Sequence, residues 1–172
     1  MTTTDAIIAA LVLPVPFFHL WLHALLPFWR RSPLALYVFG LALWIGAFKF
    51  LPAIALFSPA AFEPTPAIRY LGTALMIIGF LFAAWSLATL GPVRFFVWAV
   101  LRPLAAPRVR VSRGPFSFVP HPAYLGYVVV ALGNLLHSGR LYLAGVLAIL
   151  LFLTPLVIWL EEHELEERVE LK

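Results

Sequence analysis

Apolar runs of about 20 residues recur along this chain, and that length is what most limits its fold. Such a run crosses a hydrocarbon core of about 30 Å as a helix, which pairs every backbone group within the segment. Hydrophobic residues make up 63% of the sequence and charged ones 12%. A soluble domain carries roughly 25% charged residues, so too few polar side chains are present to cover a soluble surface. Mean hydropathy is +0.97. The expected fold is an all-α integral membrane protein, a bundle of about five transmembrane helices in a single membrane domain over 1–172.

The first run, from about Ala6 to Trp29, holds Pro14, Pro16 and Pro27 and is expected to bend or break near its start. No Lys or Arg precedes it and its apolar stretch is longer than that of a signal sequence, so it reads as a retained span. Arg30 to Pro33 connect it to a second span over about 34–56. Residues 57–66, with prolines, serine and Glu63, form a loop before a third span over about 68–90, which Gly91-Pro92 ends. The segment Val93 to Val111 mixes four arginines with Phe95, Phe96, Trp98 and Leu101. That mixture suits an amphipathic stretch lying in the interface, within a connector over 91–121. The fourth span covers about 122–136 and the fifth about 141–160, joined by a turn at His137-Ser138-Gly139. The acidic tail, 161–172, is expected to continue as a helix into water.

Arg30, Arg31, Arg94, Arg102, Arg108, Arg110, Arg113, Arg168 and Lys172 fall on one side of such a bundle, nine of the twelve Lys and Arg residues. The positive-inside rule puts that side in the cytoplasm, the carboxyl terminus with it, and the amino terminus outside. The net charge of +4 therefore reports orientation, and nucleic acid is not an expected partner. No cysteine is present, which excludes thiolate metal sites and cysteine nucleophiles.

Two polar clusters interrupt the apolar text. One runs from Arg113 through His121 to Gly126, and the other is Glu161-Glu162-His163-Glu164-Leu165. A helical hairpin separates them, each arm covering roughly 25–30 Å at 1.5 Å per residue. His121 and Glu161 are thus expected at the same end of the bundle. Paired carboxylates facing a histidine and a tyrosine make a polar pocket, and the arginines nearby would draw an anionic or zwitterionic ligand. On spacing alone, the same residues also read as the wet end of one helix and the start of another.

Gly114-Pro115-Phe116, then His121-Pro122-Ala123-Tyr124-Leu125-Gly126, then a hairpin and Glu161-Glu162-x-x-Leu165 together resemble the isoprenylcysteine carboxyl methyltransferase family and the related bacterial phospholipid methyltransferases. The resemblance covers the chain from Arg108 onwards. It implies a bacterial or archaeal membrane methyltransferase that uses S-adenosylmethionine at the cytoplasmic face. Its partners would be the lipid bilayer and a lipophilic acceptor, whether small molecule, lipid or prenylated group. Carried over by position, Arg108, Val109, Arg110, Val111, Phe116, His121, Pro122, Ala123, Tyr124 and Glu161 would bind the cofactor. Pro120 stands where the family has an arginine, with Arg113 or Arg110 as candidate substitutes. Val157 and Ile158 occupy the place of an arginine that eukaryotic members set one turn before the paired glutamates. The family's Phe-Gly-x-x-Tyr segment does not follow those glutamates. Methyl transfer from a sulfonium needs alignment and exclusion of water more than acid–base groups, and the sequence singles out no general base. The runner-up is an NADPH-dependent reductase of the sterol-reductase type, which shares His-Pro-x-Tyr but carries an acid where this chain has Tyr127. A non-catalytic member of the fold is a third reading.

His19 and His23 lie four apart on one helix face inside the first span. Such a pair could ligate haem or a metal, but no third ligand is evident, and packing is the favoured role. Lys49 is expected to snorkel, and Asn134 to bond between helices.

Overall fold

The computed structural model describes residues 2–103 and 110–170, with side chains over 4–103 and 110–166. Proline opens most of its helices at the first turn, where the missing N–H costs nothing and φ is already set. Helix α1 (Thr2–Val12) is followed by α2 (Pro14–Ala24). Leu13 between them keeps helical dihedrals, φ −61° and ψ −40°, so Thr4–Ala24 reads on as one candidate span. The clear break comes at Leu25, with φ −121°, ahead of the short α3 (Leu26–Arg31). The expected break near the start of the first span thus lies at its far end. Two long helices follow, α4 (Pro33–Phe57) and α5 (Pro66–Leu90). The Thr65 hydroxyl accepts from the Ile68 amide at 3.4 Å and caps α5.

The stretch after α5 is not one continuous amphipathic element. It forms two single turns, α6 (Pro92–Phe95) and α7 (Trp98–Leu101), divided by Val97 at φ 57°. That left-handed conformation is costly for a β-branched residue. Val97, Val100 and Leu101 are buried against Leu22, Trp29 and Leu36, so this segment packs on protein. A 3-10 turn (Gly114–Ser117) leads to α8 (Pro122–Ser138) and α9 (Leu141–Glu170). The acidic tail does continue the last helix, and Pro155 lies within it without ending it.

Four helical stretches are long and apolar enough to cross a membrane: Thr4–Ala24, Pro33–Phe57, Pro66–Leu90 and Leu141–Glu166. Helix α8, at 17 residues, is about 25 Å long and sits inside the bundle, with Tyr124, Val130, Ala131 and Asn134 buried. No strand occurs among the described residues, and one isolated bridge pairs Ala60 with Arg140. Large apolar side chains such as Phe50, Phe57, Tyr70 and Phe152 stand exposed on the outer faces. In water such a surface would aggregate, whereas lipid tails cover it. Lys49 is also exposed, on the outer face of α4, where its stem can reach toward the headgroups.

Helices α5 and α8 make the closest pairing. A Cβ placed on Gly79 would lie 2.5 Å from the Gly126 carbonyl oxygen, and one on Gly133 would lie 2.5 Å from that of Gly72. Small residues are what let membrane helices approach this closely. Asn134 makes its inter-helix bond from α8 to α1, donating Nδ2 to the Asp5 carbonyl at 2.8 Å. Gly139, at φ 68°, turns the chain from α8 into α9 and so returns α9 to the end where α8 began.

Candidate functional site

His121 is held off the helix by the residue after it. A residue before proline avoids helical dihedrals, and His121 takes φ −126° and ψ 67° while Pro122 opens α8. The imidazole meets the end of α9. Its Nε2 lies 2.6 Å from Oε1 of Glu162, and its Nδ1 3.7 Å from Oε2 of Glu161. Nη2 of Arg110 donates to the same Glu162 oxygen at 2.7 Å. Tyr124 lies one turn into α8 and is buried, its ring stacked against His121 with centroids 5.9 Å apart.

The sequence did not assign α2 to this site, yet α2 packs beside α9 and contributes two histidines. The Tyr124 hydroxyl is 2.8 Å from Nδ1 of His19. The His19 and Tyr124 rings meet edge to face at 5.4 Å. His23 is one turn further on, its ring 6.5 Å from that of His19, and its Nε2 is buried without a hydrogen-bond partner. Two polar residues four apart in an apolar run were the available signal. Among the described residues no group of three His, Asp or Glu side chains is arranged to hold a metal ion. The packing role expected for His19 therefore becomes a hydrogen bond into the polar cluster.

Two adjoining cavities open around these residues. Arg110, Val111, Phe116, Pro120, His121 and Glu162 line the first, about 710 Å³ with its open mouth. His19, His23, Pro122, Ala123, Tyr124 and Glu161 line the second, about 600 Å³. Arg94, Phe116, His121 and Glu161 border both. Every described residue carried over for the cofactor thus lines one cavity or the other, while Arg108 and Val109 lie outside the described residues. Arg110 lines the cavity with Pro120, whereas Arg113 is exposed just before the 3-10 turn and lines neither cavity. Of the two substitutes for the missing arginine, Arg110 has the position.

A third cavity, about 850 Å³ with its mouth, lies between α2 and α4 and is lined by Leu11, Phe18, Gly40, Leu41 and Trp44. Val15, His19, Phe95 and Tyr127 form the wall it shares with the second. Close to the first cavity, Nη2 of Arg30 pairs with the buried Glu164 at 3.2 Å while its Nε donates to the Val100 carbonyl. That pair ties α3 and α7 to the end of α9.

These elements define an integral membrane protein, with a charged cleft at one end of its helix bundle and an apolar cleft beside it. The model of the phospholipid methyltransferase family matches residues 67–169, more than half of the chain. The chain belongs to that family of membrane methyltransferases. No curated protein and no solved structure matches it.

Proposed function

We propose that the chain is an S-adenosylmethionine-dependent methyltransferase that acts on a lipophilic acceptor at the cytoplasmic face of the membrane. The supporting observation is that the three cavities adjoin one another. A cleft lined by both acid and base adjoins, across His19, a cleft lined by apolar side chains. A zwitterionic cofactor suits the first and an acyl or prenyl chain the second. Clustering of arginines at the polar end favours a cytoplasmic placement.

The residues fit the cofactor. Glu161 and Glu162 offer carboxylates to its amino group or ribose hydroxyls, and Arg110 a cation to its carboxylate. Phe116, Ala123 and Tyr124 offer apolar and aromatic surface. When bound, the cofactor supplies an electrophilic methyl group on a positively charged sulfur. The chain's own part is to align that methyl with the acceptor and to exclude water. His121 couples the start of α8 to the end of α9 through Glu162, so the two walls of the cleft hold their spacing.

Isothermal titration of the purified protein tests this. The intact chain should bind S-adenosylmethionine or its demethylated product with micromolar affinity, and His121→Ala and Glu161→Ala should lose that binding. Binding of NADPH with no binding of either cofactor form would favour the reductase instead, and binding of none the non-catalytic reading.

A further inference from the structure

We propose that Arg31 and Arg102 hold the headgroup of an anionic phospholipid, at the corner of the polar end where α3 meets α7. The inference is independent of the methyltransferase reading. Its starting point is how the cations of that end are used. Arg30 pairs with Glu164 and Arg110 with Glu162. Arg31 and Arg102 are exposed, and neither makes an ion pair among the described residues. Of the described carboxylates there, Glu161 and Glu162 face His121. Glu164 is buried against Arg30, and the exposed Glu166 pairs with neither arginine.

The end of α3 brings the two arginines together. The last carbonyls of a helix lack partners within it. Nη1 of Arg102 donates to one of them, the Arg30 carbonyl, at 3.3 Å, and Arg31 is the next residue. That bond fixes where the Arg102 guanidinium sits and leaves most of its five N–H donors free. Arg30 braces the same corner, because its Nε donates to the carbonyl of Val100, two residues before Arg102. A cation already held in place loses less freedom when an anion arrives, and the planar guanidinium fork matches phosphate oxygens.

Aromatic rings complete the site. Phe28 lies three residues before Arg31 and Trp98 four before Arg102, each one turn back, and both rings are exposed. Rings seated at the headgroup level beside arginines suit a membrane interface. Charge then selects the lipid. A zwitterionic headgroup needs a carboxylate for its ammonium, and the carboxylate at this corner, Glu164, is buried and already paired. Two cations favour a headgroup whose only charge is its phosphodiester. Neither arginine lines any of the three cavities, so the site is separate from the clefts. Ala99 and Val100, between Trp98 and Arg102, do line the first cavity, and a lipid held at the corner would steady that wall.

Native mass spectrometry of the full chain in detergent tests this, with phosphatidylglycerol and phosphatidylcholine supplied in equal amounts. The intact chain should retain one phosphatidylglycerol in preference. A cation at an anionic lipid surface contributes about fivefold. Arg31→Gln should therefore cut the preference about fivefold, and Arg31→Gln with Arg102→Gln about 30-fold. Arg113→Gln, which removes a charge elsewhere at the polar end, should leave it unchanged. Arg31 makes no hydrogen bond or ion pair through its side chain among the described residues, so its variant reports on the site even where Arg102→Gln fails to fold. No preference in the intact chain, an undiminished one in Arg31→Gln, or an equal loss in Arg113→Gln overturns the proposal. Glycerophosphoglycerol, the same headgroup without chains, should not displace the lipid at equal concentration. Displacement would make this a site for soluble anions and overturn the lipid assignment.

Discussion

Three carboxylates lie within one turn of α9. Glu161 and Glu162 both meet His121, Glu162 also meets Arg110, and Glu164 pairs with Arg30. Glu164 is buried to 7% exposure and Arg30 supplies a cation to it. Removing that cation from a buried carboxylate should be costly. Arg30→Ala should lower stability by about 1–3 kcal/mol, measured by thermal unfolding in detergent, and Arg30→Lys should recover part of the loss. Sequence spacing brought His121 and Glu161 to one end, and both are there. It did not show that Glu162 is the nearer partner, at 2.6 Å against 3.7 Å. Successive helical residues point about 100° apart, and how far α9 is rotated depends on packing that spacing does not encode. The role of His19 was hidden for a similar reason. Its partner Tyr124 is 105 positions away, on a helix whose contact with α2 no local pattern announces.

At the scale of elements, the helices were legible because their lengths and apolar runs answer to one physical constraint, the thickness of the bilayer. Their pairing was less so. Gly72 and Gly79 on α5 meet Gly133 and Gly126 on α8, each pair seven residues apart, or about two turns. That repeat was a readable sign of close packing. Backbone carbonyls sit where side chains would go, and the helices can only separate to make room. Gly79→Ala and Gly133→Ala should each cost about 1–3 kcal/mol through overpacking, whereas Gly46→Ala, which has open space around it, should cost nothing and gain helix propensity. Unfolding of the three variants in the same detergent compares them directly. The segment after α5 was the least legible. Its composition suited one amphipathic stretch, but a left-handed Val97 divides it into two turns, and no residue type marks that conformation in advance.

Taken whole, the molecule has a polar end and an opposite end where the loop between α4 and α5 meets Gly139 through the Ala61 amide. The chain has no cysteine, so single cysteines report orientation cleanly. With the polar end in the cytoplasm, Ala61→Cys should react with a membrane-impermeant maleimide in intact cells. Ser117→Cys should react only after the membrane is opened. The reverse pattern would invert the proposed topology. The two kinds of cleft also draw in part on different stretches of sequence. Glu161, His121 and Arg110 lie within residues 67–169, which match the family, while Leu11, Phe18, Leu41 and Trp44 lie before them. His19, on the shared wall, belongs to the earlier stretch. On the proposed reading, Leu11, Phe18, Leu41 and Trp44 could be changed to admit a different lipid while Arg110, His121 and Glu161 stay as they are. If the proposal holds, the molecule is a fixed methyl donor station fitted with an exchangeable intake.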